Sequence, residues 1–194
     1  IARKAKDILS GREVRATLAR LSSAGCEARY RAVDVRDGQA VSALVAETVR
    51  DLGPVRGVVH GAGGLADKKV LDKTVENLDA VLDTKLAGLR HLLDAIKLRE
   101  LRLLAFFSSS TARHGRVGQS DYAVANEVLN KAAQVLARRL PDCRVVSVGW
   151  GPWDGGMVDA GLKKLFAAEG VGVIDRAEGG AHAKQLLHGV PPRR

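Results

Sequence analysis

Short apolar runs alternate along this chain with longer stretches in which apolar residues return every three or four positions. Arg12–Ala24 has helical spacing, Glu27–Val35 reads as extended, and Gly38–Leu52 sets Val41, Leu44, Val45 and Thr48 on one helical face. The run "VRGVVH", Val55–His60, follows a Gly53-Pro54 break and has the composition of a short buried strand. A long helix is predicted from about Leu78 to Leu98, then a strand ending at Ser108 and a helix from about Tyr122 to Arg139. The strand "CRVVSVGW" ends at Trp150, and weaker helical patterns cover Asp159–Ala168 and Ala177–His188. Strands separated by helices of this length imply right-handed βαβ crossovers and a parallel sheet with helices on both faces. Ligands of such sheets sit beyond the carboxyl ends of the strands. Gly61–Gly64, Ser108–Ser110 and Gly151–Trp153 each follow such an end, so all three loops are expected at one cleft.

Three polar residues interrupt the apolar faces. At about 100° per residue, Lys85 falls inside the stripe formed by Leu78, Leu82, Leu89, Leu92 and Ile96. A lysine there must either find a polar partner or snorkel along the stripe to water, because burying its bare charge costs several kcal/mol. On the later helix, Tyr122 and Asn126 lie one turn apart on the face carrying Leu129, Ala133 and Leu136. By pattern alone they fit a core tyrosine with a locally satisfied amide as well as a polar site.

Composition narrows the class. The 194 residues are 46% hydrophobic, enough for one domain with a proper core, and no linker or repeat divides residues 1–194. No apolar run reaches the roughly 18 residues of a membrane span, and the opening "IARKAKDILS" is too polar for a signal peptide. Cys26 and Cys143 are too few for a disulfide framework, so a reduced, cytoplasmic setting is expected. A net charge of +9 invites a nucleic-acid reading, but the basic residues are dispersed and only 4% of residues are aromatic. Neither nucleic acid nor membrane is expected as a partner; most of these charges read as scattered, solvated Lys and Arg, and a basic surface could equally meet an acidic protein or a phosphorylated small molecule. His60, His91, His182 and His188 have no metal-ligand spacing, so no metal is expected.

Ser109, Tyr122 thirteen residues on, Asn126 one turn later and Lys85 twenty-four residues before the serine together resemble an active site. It is that of the short-chain dehydrogenases/reductases, in the arrangement of synthase ketoreductase domains, which make polyketides and fatty acids. Most of that superfamily has lysine four residues after the tyrosine; here Asn126 stands there and the lysine is on the preceding helix. "VDVRD" (Val33–Asp37), "RGVVHGAG" (Arg56–Gly63), "KLAGLRHL" (Lys85–Leu92), "FFSSS", "YAVAN" and "WGPW" (Trp150–Trp153) follow in the family's order. "WGPWDGGMV" and "LKKLFAAEGV" are similar, more loosely, to polyunsaturated-fatty-acid and enediyne synthase ketoreductases.

The resemblance implies an α/β fold, a Rossmann-like doubly wound parallel sheet, here lacking its first βαβ segment and so its glycine-rich phosphate loop. It implies NADPH-dependent reduction of a 3-oxoacyl thioester on an acyl carrier protein, with neighbouring synthase domains as further partners. Tyr122 would give the proton, Ser109 hold the carbonyl, Lys85 acidify Tyr122, and Asn126 position Lys85 or a relay water. Asp34 and Val35 would lie beside the adenine, Gly61, Ala62 and Gly63 would admit the cofactor backbone, and Pro152 and Trp153 would border the nicotinamide. "LAD", Leu65–Asp67, resembles the signature of domains that make the D (3R) alcohol, and His114 stands where the opposite type has tryptophan. Met157 and Leu162–Phe166 are candidates for a lid over the substrate, with an ordinary packed helix as the alternative.

Elementary energetics bear on the assignment. A phenol of ordinary pKa near 10 needs a shift of roughly 3 units, about 4 kcal/mol, to exchange protons well at neutral pH. An ammonium at about 4 Å supplies ~1 kcal/mol in water but ~4 kcal/mol at an effective dielectric of 20. Lys85 can therefore act only if sheltered. Three other readings stay open at this level. "GAGGLA" also fits a dinucleotide fingerprint, which would need a helix beginning inside it. A free-standing carbonyl reductase would share the chemistry, and a non-catalytic scaffold would share only the fold. Lacking the phosphate loop, the chain alone is expected to bind NADPH poorly.

Overall fold

The computed structural model describes the backbone of residues 2–155, 158 and 160–188, and the side chains of these except 2–10 and 188. Two compact units result, Ile1–Val33 and Asp34–Arg194. The first holds helix α1 (Ala2–Ser23), closed by Gly25 at φ 75. Glu27–Val35, expected as a strand, has no regular secondary structure. An extended run is a strand only when a ladder takes its N–H and C=O groups; here the charged side chains pair locally instead, Arg29 with Glu27 at 2.8 Å.

In the second unit α2 spans Gly38–Leu52. Asp37 caps it by accepting from Gln39 N and Ala40 N, both at 3.0 Å, and Gly53 stops it at φ 85. Then come β1 (Gly57–His60), a 3-10 turn at Val70–Asp72, and α3 (Val75–Leu82), which Thr74 and Asn77 cap reciprocally. The long helix expected over Leu78–Leu98 is broken: a π-helical turn, Asp83–Ala87, separates α3 from α4 (Gly88–Ala95). Strand β2 (Leu103–Ser109), α5 (Thr111–His114), α6 (Ser120–Arg139), β3 (Arg144–Trp150), α7 (Ala160–Ala168) and α8 (Arg176–His188) complete the order.

The three strands form one parallel sheet in the order β1-β2-β3, with His60 opposite Phe106 and Ser109 opposite Trp150. Such successive strands are one half of a doubly wound arrangement. Leu104, Ala105 and Phe106 on the central strand are almost wholly buried, as a strand covered on both faces must be. Leu129 and Ala133 of α6 are buried with them, and Ser108 Oγ donates to Asn126 O at 3.1 Å, so the sheet holds α6 one turn beyond Tyr122. Because the strands are parallel, residues 61–64, 110 and 151–153 leave the sheet at one edge.

Candidate active site

Lys85 lies in the π turn, its residue only 3% exposed. Snorkelling to solvent is thereby ruled out. Such a turn takes one residue more than an α turn and leaves carbonyls free for other donors. The Lys85 carbonyl is held by buried His60, whose Nε2 lies 2.8 Å away. A carbonyl accepts only, so Nε2 carries the proton, and burial, which lowers the His60 pKa, keeps the ring neutral. The side chain then runs past Gly63, where a Cβ would stand 3.1 Å from Lys85 Cε and 3.3 Å from Nζ. Nζ donates to Phe107 O at 3.0 Å and stands over the Tyr122 ring, 5.7 Å from its centroid. Among the described residues no carboxylate pairs with it, and burial lowers its pKa from 10.5 to about 8.

Tyr122 is the third residue of α6, half-buried at the carboxyl edge of the sheet. Burial raises its pKa; hydrogen bonding from Asn126 and Ser109 works the other way, and the charge of Asp67 adds to the rise. Acidification of the phenol was expected, but desolvation outweighs it in this structure. The fully buried Asn126 donates from Nδ2 to Tyr122 O at 2.7 Å, leaving its Oδ1 without a partner among the described residues. At the end of β2, Ser109 Oγ accepts from Thr111 N at 3.1 Å, which fixes the hydroxyl against α5. Lys85, Ser109, Tyr122 and Asn126 thus converge from the π turn, β2 and α6.

The other expected residues divide. Asp67 is drawn into the cluster by Gln119, whose Nε2 donates to Oδ2 at 2.8 Å, and Thr111 Oγ1 reaches Gln119 Oε1 at 3.4 Å. Asp34 is turned to Arg36, which binds it at 2.6 Å and holds its pKa down at about 2. Val35 packs on α4, where a Cβ on Gly88 would come within 2.8 Å of Val35 Cγ2, and its carbonyl faces His91 Nδ1 at 3.1 Å. No helix begins within residues 61–69, which removes the rival fingerprint reading of "GAGGLA". Trp153 stacks edgewise on Trp150 and covers Gly179, where a Cβ would come within 2.5 Å of its ring. Ile174 N donates to Pro152 O at 2.7 Å, bracing the same loop. Met157 lies outside the described residues. Leu162–Phe166 are in α7, where Phe166 is buried under the Arg116 guanidinium, 4.6 Å from its ring centroid. His114 is exposed at the end of α5. Gln119, Lys73 and Asp121 are polar residues of this region that the sequence pattern did not single out; Gln119, three residues before Tyr122 in a glycine turn, was the most visible of them.

The model of the KR domain family matches residues 2–155. The chain belongs to the KR-domain family. It is 42% identical over 186 residues to a polyunsaturated fatty acid synthase polypeptide of Thraustochytrium sp. (strain ATCC 26185 / S-3), covering 95% of this chain and 6% of that protein. A ketoreductase domain from the bacillaene assembly line superposes with a TM-score of 0.76 at 32% identity, over 87% of this chain and 42% of that one. A short-chain dehydrogenase from Burkholderia cenocepacia J2315 in complex with NADP has the same fold, with a TM-score of 0.79 at 22% identity, over 92% of this chain and 77% of that one. The KR domain described here is therefore a small part of the length of its synthase relative. No helix among its described residues is long and apolar enough to cross a membrane, and no group of His, Cys, Asp and Glu among them could hold a metal ion.

Proposed function

We propose that this KR domain reduces the ketone of a 3-oxoacyl thioester, carried on an acyl carrier protein, to the 3-hydroxyacyl product with NADPH. The observation that carries this reading is the buried Lys85 ammonium, free of any carboxylate among the described residues, over the ring of Tyr122 beside Ser109 and Asn126. The residues fit NADPH at its nicotinamide end. Lys85 and Tyr122 offer donors, Asn126 Oδ1 is a buried acceptor that no described residue satisfies, and Gly63 leaves the backbone bare beside Lys85. Gly61, Ala62 and Gly63 would hold that end from β1, Pro152 and Trp153 from β3, and Asp34 and Val35 would border the adenine. Bound NADPH supplies the hydride.

Everything else falls to the protein. Ser109 Oγ donates to the substrate carbonyl and holds the charge that grows on its oxygen. Tyr122, its pKa raised by burial, keeps its proton at neutral pH and donates it to that oxygen. The phenolate left behind is what Lys85 stabilises, its ammonium standing 5.7 Å from the ring centroid in a sheltered site where charge acts more strongly than in water. Asn126 Oδ1 receives Lys85 or a relay water that returns the proton. We assign the 3R alcohol to the "LAD" residues, with Asp67 and Gln119 forming the wall beside Tyr122. Met157 would extend the substrate contacts. A cytoplasmic setting and neighbouring synthase domains belong to the same reading, supported by the two free cysteines and by a synthase relative of which this chain covers 6%.

The test is NADPH consumption with a 3-oxoacyl thioester by the full-length protein and its Tyr122→Phe variant. A loss of about 100-fold or more in kcat is expected from removing a general acid; equal rates would remove Tyr122 from the mechanism.

A further inference from the structure

A second lysine is withdrawn from water close to this site. Lys73 follows the 3-10 turn, and its Nζ lies 2.7 Å from Asp121 Oδ2, with side-chain exposures of 8% and 0%. Nζ also donates to Ala66 O at 2.9 Å and to Gly118 O at 3.3 Å. Asp121 Oδ1 accepts from Tyr122 N at 2.8 Å, while Oδ2 has no partner of hydrogen-bond geometry among the described residues, so its charge is answered by the ammonium. Gly118 accepts from Lys68 N at 3.1 Å and sits at φ 83, a conformation that favours glycine.

Each partner of the Lys73 ammonium precedes a residue of the candidate site. Ala66 precedes Asp67, Gly118 precedes Gln119, and Asp121 precedes Tyr122. One charged group therefore fixes the backbone on which the Asp67–Gln119 wall and the phenol are mounted. Cohesion alone would be served as well by apolar side chains, since a buried ion pair gives little net stability. What an ammonium adds is direction: it ties two carbonyls and a carboxylate to one point.

We propose that Lys73 and Asp121 are a positioning pair, which sets the Asp67–Gln119 wall against Tyr122 and so determines the face on which a carbonyl meets the phenol. The proposal rests on the reading of Tyr122 as proton donor, and its test separates the two. Lys73→Met/Asp121→Leu removes both charges without leaving one buried alone. The measurements, on the full-length protein, are the melting temperature, the 13Cζ resonance of Tyr122, kcat and KM with NADPH and a 3-oxoacyl thioester, and the ratio of 3R to 3S alcohol. The Tyr122 resonance is assigned by its loss in Tyr122→Phe, and exposed Tyr30 serves as internal reference.

In the double variant the Tyr122 resonance is expected to move or split while that of Tyr30 stays. A fall in kcat of about tenfold, a much smaller change in KM and a mixed alcohol product should accompany it. A folded double variant with the wild-type resonance, kcat and alcohol ratio would reduce the pair to a structural contact and overturn the proposal. If the wild type fails to reduce the thioester while the Tyr122 resonance still moves in the variant, the functional reading falls and the positioning role stands. Should the double variant not fold, Asp121→Asn keeps the shape and removes the charge; an unmoved Tyr122 resonance and an unchanged alcohol ratio there would likewise overturn it.

Discussion

Two lysine ammoniums near Tyr122 are taken out of water, and the fold treats them in opposite ways. Lys73 is given a carboxylate and two carbonyls. Lys85 is given one carbonyl and the face of a ring, and its pKa drops to about 8. A buried charge with a full set of partners has nothing left to offer a ligand. A buried charge with too few is costly to the folded state but available to whatever negative charge arrives, such as a phenolate or a reacting oxygen. The difference separates a group that holds the site together from one that waits within it.

The sharpest way to break this comparison is to remove each ammonium and watch activity and stability move apart. Lys85→Met should cost about 100- to 1000-fold in kcat by removing the charge that supports proton transfer from Tyr122. Steady-state rates with NADPH and a 3-oxoacyl thioester measure it, and a loss below about threefold would place Lys85 outside the chemistry. Next in size, Lys73→Met leaves Asp121 buried and unpaired and should destabilise by about 3–5 kcal/mol in urea unfolding. If Lys73→Met were as stable as the wild type, the Lys73–Asp121 contact would contribute nothing to holding the fold.

Stability should change in the other direction at Lys85. With a folded-state pKa near 8 against 10.5 when unfolded, the cost of burying the charge is fully present below about pH 8, where both states hold the proton. Between those values only the unfolded chain keeps the proton, so the native state gains stability as pH rises; above 10.5 the cost is gone. Lys85→Met should therefore be more stable than the wild type by about 2–4 kcal/mol at pH 7, and the advantage should vanish on the way to pH 10.5. Paired unfolding curves across that window measure it, and a constant difference would mean that the amine keeps its proton throughout.

Much of this was legible in the chain itself, for reasons particular residues make plain. The ends of Gly38–Leu52 are set locally, by the Asp37 cap and Gly53, so a local reading finds them. Lys85 was visible because a charge inside an apolar stripe must either find a polar partner or snorkel to water, and the fold decides which. The π turn was not, since one extra residue in a turn hardly disturbs a periodicity read over twenty positions. Glu27–Val35 has a strand's alternation but forms no ladder, and pairing is a property of two segments rather than one. Lys73 and Asp121 stayed hidden for the same reason. Lys73 lies in "DKKVLDKT", which has no periodicity, and Asp121 is next to Tyr122 but off its face. Only the folded chain reveals that they meet, 48 positions apart in sequence numbering.

The smallest effect offers the finest test of the unpaired site. A Cβ added at Gly63 would press on Lys85 Cε at 3.1 Å and Nζ at 3.3 Å, while one at neighbouring Gly64 would meet nothing within 4 Å. Neither glycine has a positive φ, so alanine suits both backbones, and each substitution should gain about 0.4–1 kcal/mol from the unfolded state. Gly64→Ala should show that gain. In Gly63→Ala the ammonium must yield by a few tenths of an ångström, in a pocket where its hydrogen bond is to Phe107 O, and the lost interaction should cancel the gain. The expected signature, at saturating NADPH, is a near-neutral stability with kcat lowered by about three- to tenfold and KM for the thioester nearly unchanged, because the displaced charge matters when Tyr122 gives up its proton rather than when substrate binds. Gly63→Ala with the full stability gain and wild-type kcat would show that Lys85 has room to spare, and that its position over Tyr122 is not enforced from the β1 loop.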